Sequence, residues 1–369
     1  MSRSFRLPLF PLLLLAGFGA CRGSAPESIP AVWSAPTHAI PVAQMQGKLG
    51  GCAAGDLTSD PGDELLAVGS DGSVWLAWHT ETGWQSAAIA QLDGEAIGVA
   101  VVPAPENQTA FVTVGKLEGD EETPGPGAAW LFRRPSRTKA PAAVGWNKEL
   151  LRREEQLIHA VAADDRGFVI GGYAGAVHRY EPSGEGFASA PVSGVSAPIK
   201  GLALDHDQVA IACADGQLFE AQFAGGSWKT RLLWRFPEAL ARVDLWQGSV
   251  AVSSNDGGLY VVDPRSQGDA LVYSSDDRLR GAVFLEAPPT GLDPSWYLAT
   301  AGYDGRVHLI PRSGPKGAGV HLRVDEGRLH HLAPARVADD AGRIVPALVT
   351  SGYSGRLLLL PFEARAGKP

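Results

Sequence analysis

The sequence has little cysteine and little charge. Three cysteines among 369 residues are too few for a disulfide framework or a four-thiolate zinc site. Charged residues make up only 20% of the chain, and acidic residues (40) outnumber lysine and arginine (32). A chain with that balance and no basic run lacks the positive footprint that sequence-independent nucleic-acid binding requires. We therefore expect neither a disulfide scaffold nor a nucleic-acid partner.

Motifs of common catalytic sites are also missing. The chain has no Gly-x-Ser-x-Gly elbow, no phosphate-binding loop and no placeable pair of glycosidase carboxylates. Its nine histidines include one adjacent pair, His330-His331, whose side chains would point to opposite faces of a strand. We expect no catalytic residue, no metal site and no cofactor. Cys52 and Cys213 are expected to be buried free thiols.

A long apolar run occurs only at the N-terminus. Arg3 and Arg6 precede the run 7–15, and small residues then lead to Cys21. This run is too short to remain as a membrane-spanning helix. The segment resembles a bacterial lipoprotein signal peptide of residues 1–20. The resemblance implies lipidation of Cys21 and a place in the cell envelope, with the outer membrane favoured, facing the periplasm or the surface. An ordinary secretory signal followed by an incidental cysteine is the alternative.

One sequence unit recurs seven times beyond this segment. It consists of an aliphatic strand, a small-residue turn ending in glycine, and a second apolar strand, as in LLAVGSDGSVWLAW at 65–78. Glycine after Asp or Ser provides the positive φ that a tight hairpin turn requires. An apolar segment before each hairpin and an outer strand after it complete four strands per unit, which we name a, b, c and d. The turn glycines lie 41 to 55 residues apart: Gly72, Gly127, Gly175, Gly216, Gly257, Gly305 and Gly355.

This period and strand content predict the blades of a β-propeller. We predict an all-β fold, a seven-bladed β-propeller over residues 31–361. The last copy ends after strand c, so residues 31–40 should close the ring as strand d of the last blade and remove an exposed sheet edge. Residues 21–30 would be a flexible tether and residues 362–369 a C-terminal tail. Eight blades or an open sandwich are the alternatives.

The repeat resembles those of WD-repeat and quinoprotein-like propellers at the level of the fold. The Trp-Asp dipeptide of WD repeats is absent, because strand c ends in Trp78-His79, Val262-Asp263 or Leu360-Pro361. The resemblance therefore implies the propeller and carries over neither a cofactor nor a partner.

A ring of candidate ligand-binding residues emerges when the starts of the strands a are aligned. Five of the seven blades place a cationic or imidazole side chain at one position: His159, Lys200, Arg242, Arg280 and His330. In a propeller the strands a line the central channel, and the b–c turns beside their starts, on the top face, carry Tyr173, Tyr303 and Tyr353. Such a ring would focus positive potential, and arginine suits carboxylate or phosphate geometry. The alternative is a structural belt in which aspartates of the b–c turns pair with these cations.

These features favour a lipid-anchored extracytoplasmic propeller that acts as a non-catalytic protein-binding or scaffold module through its top face. Its partner would be a protein at the cell envelope, and it would contact the membrane through the lipid anchor alone. Two alternatives remain open. The basic ring could serve an enzyme or a small-anion binder, or surface tyrosines and tryptophans could bind carbohydrate.

Overall fold

The computed structural model describes residues 33–104, 108–118, 125–134, 144–184, 186–265, 268–285, 296–312 and 318–364. The predicted signal peptide, the tether and Cys21 lie outside these ranges. No helix within them is long and apolar enough to span a bilayer.

The described chain forms seven four-stranded antiparallel sheets and one two-stranded sheet. The first two strands are β1 (Trp33–Ser34) and β2 (Ile40–Gln44). Blade 1 contains β3 (Leu49–Gly55), β4 (Glu64–Gly69), β5 (Ser73–Thr80) and β6 (Gly83–Gln91). Blade 2 contains β7 (Gly94–Val102), β8 (Thr109–Leu117), β9 (Gly127–Arg134) and β10 (Asn147–Glu154). Blade 3 contains β11 (Ile158–Ala163), β12 (Phe168–Gly172), β13 (Ala176–Ser183) and β14 (Gly186–Gly194).

Blade 4 contains β15 (Ile199–Asp205), β16 (Gln208–Cys213), β17 (Gln217–Ala224) and β18 (Ser227–Arg235). Blade 5 contains β19 (Leu240–Trp246), β20 (Ser249–Ser254), β21 (Gly258–Asp263) and β22 (Gly268–Ser274). Blade 6 contains β23 (Val283–Phe284), β24 (Trp296–Ala301), β25 (Arg306–Pro311) and β26 (Val320–Arg323). Blade 7 contains β27 (Leu329–Ala338), β28 (Ile344–Gly352), β29 (Arg356–Pro361) and, at its outer edge, β2. The two-stranded sheet joins β1 to β30 (Glu363–Ala364).

The burial of the strands explains their composition. The second strand of a blade is buried on both faces, as in β4 and β12, because it packs between neighbouring blades. Outer strands such as β10 and β18 are largely exposed and carry most of their polar residues outward. The core is therefore divided into layers between blades, and Cys52 and Cys213 lie in two of these layers as buried free thiols, as predicted.

Six of the seven predicted turn glycines have the expected positive φ, Gly216 with 81° and Gly305 with 73° among them. A Cβ on Gly216 would lie 2.2 Å from the Phe236 carbonyl oxygen, so no other residue fits this turn without displacement. The prediction for Gly127 was wrong. Gly127 is the first residue of β9 and lacks a positive φ, because the long blade-2 insertion replaces the tight turn.

The ring is closed by the N-terminal segment, as predicted. Each strand a contacts the strand a of the next blade all the way round, including β27 against β3. The closing strand is β2, which pairs with β29, whereas the sequence placed it at 31–40. Pro36 lies between β1 and β2, and β1 pairs instead with β30. Pro41 is tolerated in β2 because this strand is at the sheet edge.

Candidate binding site at the top mouth of the channel

The strands a of all seven blades enclose a central cavity of about 610 Å³. Because each strand a starts at the same end of the ring, the d–a loops and b–c turns open together at that end, which we call the top mouth.

A β-bulge near the start of strand a sets which side chains face the mouth. His159, Lys200 and His330 are bulge residues without a partner on strand b. The same register places Ile97 and Ala241 at that position in blades 2 and 5, which corrects the sequence alignment by one residue. In blade 6 the equivalent residue is Arg280, which follows the Leu279–Gly302 bridge that precedes β23. Four blades, rather than five, thus have a cationic or imidazole residue there.

Arg242 lies at the next position along strand a. Most other blades have a small residue at this position: Gly51, Gly98, Ala160, Gly201 and Gly281. A Cβ on Gly51 would lie 2.8 Å from the Ile97 carbonyl oxygen, so close packing of neighbouring strands favours glycine. Arg242 and His331 are the exceptions, and both line the cavity.

Direct contacts join the predicted residues of blades 3, 4 and 5. The Lys200 carbonyl oxygen accepts hydrogen bonds from Arg242 Nη1 (2.8 Å) and from His159 Nδ1 (3.1 Å). The Lys200 ammonium donates a hydrogen bond to the Tyr173 hydroxyl and lies 4.3 Å from the centre of its ring. The structure therefore brings these four residues together across three blades.

A second group of predicted residues meets between blades 6 and 7. The hydroxyls of Tyr303 and Tyr353 are 3.4 Å apart, and the guanidinium groups of Arg280 and Arg328 each lie 5.0 Å from the centre of the Tyr303 ring. Such cation–π contacts hold the guanidinium groups without neutralising them. The His330 ring centre is 5.9 Å from that of Tyr353.

Sequence reasoning missed three cations of this face: Lys48, Arg278 and Arg328. Lys48 and Arg328 directly precede the buried leucines that start β3 and β27, and Arg278 precedes the buried Leu279, which forms an isolated bridge with Gly302 just before β23. The Lys48 ammonium lies 5.3 Å from the centre of the Tyr353 ring. The signal was present in the sequence, because all three residues share one position relative to that leucine.

The charge of the mouth comes from lysine and arginine. Burial and the nearby Arg242 lower the pKa of His330 to about 3, and the same two causes hold the pKa of His159 and of His331 well below the usual value. These imidazoles are neutral at neutral pH. Burial and the neighbouring Arg280 lower the pKa of Arg242 to about 10, so its guanidinium keeps its charge.

The cations at the centre of the mouth have no counter-ion within the part of the chain that the structure describes. Among the described residues no carboxylate oxygen lies within 4.0 Å of the charged groups of Lys200, Arg242 or Arg280. The Nε atoms of Arg242 and Arg280 are buried without a hydrogen-bond partner. The turn aspartates instead accept hydrogen bonds within their own turns, as Asp256 does from Gly258 N at 2.7 Å. The alternative of an aspartate belt around these three cations is therefore wrong.

The opposite end of the channel is acidic. Asp164, Asp165, Asp205 and Asp244 line the cavity there. Asp164 Oδ1 accepts hydrogen bonds from two turn amides, and Asp244 accepts from Leu245 N at 2.8 Å and Phe284 N at 2.7 Å. Asp164 and Asp244 thus hold backbone amides at the bottom of the blades, whereas Asp165 and Asp205 face the His206 ring. The contrast between the two ends leaves the top mouth as the place where an anion is favoured.

A buried Cys–His contact in the channel does not form a nucleophile. Cys52 Sγ lies 3.5 Å from His331 Nδ1. Burial raises the pKa of the Cys52 thiol to about 12, so the thiolate that attacks substrates is scarce at neutral pH. This pair fills the interior of the ring.

No protein-family model matches the chain, and no curated protein matches it. The fold is similar to the crystal structure of the WD40 β-propeller domain of Doa1, with a TM-score of 0.62 and 12% sequence identity over 91% of this chain and 98% of that chain. The chain has the fold of a WD40 β-propeller. The propeller is also similar to the computationally designed Ika8 protein, with a TM-score of 0.54 and 13% identity over 89% of this chain and 100% of that chain. At such identities the likeness concerns the fold alone.

Proposed function

We propose that this propeller is a protein-binding scaffold that holds an acidic segment of its partner at the top mouth. The observation that carries the proposal is a set of cations that have no counter-ion among the described residues, above all Arg242 and Arg280, whose buried Nε atoms have no hydrogen-bond partner there. A buried donor without a partner costs about 1–3 kcal/mol. A carboxylate supplied by a partner would satisfy these donors and relieve the repulsion between the two guanidinium groups.

The surroundings of the two arginines suit a protein surface as partner. Tyr303 and Tyr353 lie beside Arg280, and the Tyr353 side chain is 40% exposed. Tyrosine and arginine are enriched among the residues that dominate protein–protein binding energy. The ring of blades holds these side chains on strands and tight turns, so little ordering entropy is lost on binding.

The sequence of the N-terminal segment favours a location in the cell envelope for this scaffold. A lipoprotein-like signal of residues 1–20, followed by a tether of residues 21–30 that begins at the lipidated Cys21, would attach the propeller to the envelope through lipid. The proposed partner is then a protein of the same compartment, and the tether would let the top mouth reach it. This part of the proposal rests on the sequence.

A second candidate, binding of a small anion, is favoured by the cavity below the ring. Its volume of about 610 Å³ falls in the range of small-molecule pockets. Arg242 lines this cavity and could hold a phosphate or carboxylate group there. This candidate needs the same arginines but no protein partner.

A binding experiment with peptides tests the proposal. Fluorescence anisotropy would compare a glutamate-rich peptide with its glutamine counterpart on the full-length protein. We expect selective binding of the acidic peptide that weakens at least about tenfold in the double variant Arg242→Gln/Arg280→Gln, since a charge-assisted hydrogen bond contributes about 1.5–3 kcal/mol.

The matched control is Arg166→Gln/Arg336→Gln, which removes two exposed arginines near the acidic end. Equal peptide affinity in the wild type and in the Arg242/Arg280 variant would refute the proposal. A thermal shift with phosphate that depends on Arg242, without any peptide binding, would favour the second candidate.

A further inference from the structure

Three ring side chains meet at the outer side of blades 5 and 6, away from the channel. His308 and His321 are directly opposite each other on β25 and β26. Their Nδ1 atoms are 2.9 Å apart, and the Tyr273 hydroxyl of β22 is also 2.9 Å from His308 Nδ1. The centres of the three rings lie within 5.4 Å of one another.

The packing of the blades does not require histidine at positions 308 and 321. His308 is the third residue after the turn glycine, and five blades have an aromatic or aliphatic residue there: Trp75, Trp130, Phe219, Tyr260 and Leu358. The residue opposite on the outer strand is apolar in the other six blades: Ala88, Leu150, Pro191, Leu232, Leu271 and Pro41. Blade 6 departs from this pattern at both positions at once.

The other nitrogen of His308 faces a carboxylate. Nε2 lies 3.1 Å from Asp304 Oδ2, and Asp304 Oδ1 accepts a hydrogen bond from Arg306 N at 3.1 Å. The carboxylate favours the tautomer with hydrogen on Nε2, which leaves the Nδ1 lone pair directed at His321 and Tyr273. A carboxylate on the outer nitrogen is the usual support of a metal-binding histidine.

Blade 3 provides a natural comparison. His178 occupies the position of His308, but its Nε2 is 2.7 Å from Arg152 Nη2, and Glu154 Oε1 pairs with Arg152 Nε at 2.7 Å. In blade 3, therefore, a guanidinium group rather than a second imidazole contacts the histidine. The residue opposite His178 is Pro191, which offers no ligand atom.

We propose that His308 Nδ1, His321 Nδ1 and the Tyr273 hydroxyl oxygen form a binding site for a divalent transition-metal ion, Cu²⁺ in the first place. Two ligand atoms at about 2.0 Å from a metal lie about 2.8 Å apart in a square plane and about 3.3 Å apart in a tetrahedron. The observed 2.9 Å matches the square-planar spacing that Cu²⁺ prefers. His308 is 1% exposed, whereas His321 is exposed, so the ion has a route from solvent.

Asp304 is a positioning residue in this site. It touches no proposed ligand atom, and its Oδ2 lies 3.1 Å from His308 Nε2 without making a hydrogen bond in this structure. With a metal on Nδ1, this carboxylate would accept from Nε2–H and orient the His308 ring. Loss of such an outer partner weakens metal binding about 10–100-fold. Asp304→Asn should therefore reduce Cu²⁺ affinity by that factor while the nitrogen coordination is kept.

The test is titration of the chelator-washed full-length protein with Cu²⁺, followed by calorimetry and electron paramagnetic resonance. We expect one Cu²⁺ per chain with coupling to two nitrogens. His321→Ala, at an exposed side chain that tolerates substitution, should weaken binding at least about 100-fold. Tyr273→Phe should keep the nitrogen coupling and lose the tyrosinate-to-copper absorption.

His178→Ala is the matched control and should bind Cu²⁺ as the wild type does. Cu²⁺ affinity that is unchanged in His321→Ala would overturn the proposal, and so would wild-type binding without a defined stoichiometry. His321→Ala should also keep the thermal stability of the wild type, which separates lost coordination from lost folding.

Discussion

Arg242 owes its place at the centre of the mouth to one residue of register in β19. Its Cα is paired with that of Ser253, and the preceding Ala241 takes the bulge. Arg242 donates a hydrogen bond to the Lys200 carbonyl oxygen of the neighbouring blade. Its positive charge is the second cause, next to burial, that lowers the pKa of His159, His330 and His331. Burial is the larger cause of these three shifts, and Arg242 adds to it at all three histidines.

The neutral state of His330 leads to a prediction about stability and pH. Its pKa of about 3 in the folded chain lies below the ordinary 6.5, so the unfolded chain binds the proton first. The contribution of His330 to the unfolding free energy is fully present above pH 6.5 and is lost as the pH falls from 6.5 towards 3. Relative to His330→Asn, the wild type should lose about 1.4 kcal/mol of unfolding free energy per pH unit in that range.

Urea unfolding at pH 7, 6, 5 and 4 measures this difference. His38→Asn, at an exposed surface position, is the control and should follow the wild type. Parallel profiles for the wild type and His330→Asn would contradict the assignment of a buried, neutral imidazole.

At the scale of elements, β2 completes the last blade. Val42 and Ala43 of this strand and Met45 just beyond it are buried in a layer with residues of blades 7 and 1. Met45 N also donates a hydrogen bond to the Gly355 carbonyl oxygen at 2.8 Å, as the outer strands of other blades do at their own turns. The closing strand is thus held by the same contacts as an internal one.

Shortening a buried side chain of β2 should therefore destabilise the whole ring. Val42→Ala removes two methyl groups from a packed layer and should lower the unfolding free energy by about 1–3 kcal/mol. His38→Ala, between β1 and β2, should change it by less than about 0.5 kcal/mol. Chemical denaturation checks both values, and a Val42→Ala effect as small as that of His38→Ala would mean that β2 does not close the ring.

The seven hairpins could be predicted from sequence because glycine turns and apolar runs are local signals. The closing strand was placed several residues too early, since Trp33 and Ile40 look equally strand-like and only the pairing with β29 separates them. The aligned position of Arg242 was also one residue off. A β-bulge inserts a residue without any composition signal of its own.

The group at His308 shows a different limit of sequence reasoning. His308 and His321 are 13 residues apart, and Tyr273 belongs to another blade, so no short motif joins them. The one adjacent histidine pair in the sequence, His330-His331, lies elsewhere, in blade 7. Cross-strand pairing and blade-to-blade packing, which are long-range, bring the three outer rings together.

The whole molecule is polarised along the channel. Lysine and arginine side chains that have no carboxylate partner among the described residues lie at the top mouth, and four aspartates lie at the other end. A rigid ring keeps these charges apart, so an acidic partner would be steered to one face and repelled from the other. This polarity, rather than any catalytic group, is the basis of the proposed scaffold role.

Photo-crosslinking in intact cells tests this account most directly. A photoreactive phenylalanine analogue would replace Tyr353 at the top mouth or Arg166 near the acidic end. The account predicts a discrete protein adduct from position 353 that sediments with membranes and disappears in the Arg242→Gln/Arg280→Gln background. The same adduct from position 166, or its persistence in that background, would contradict it.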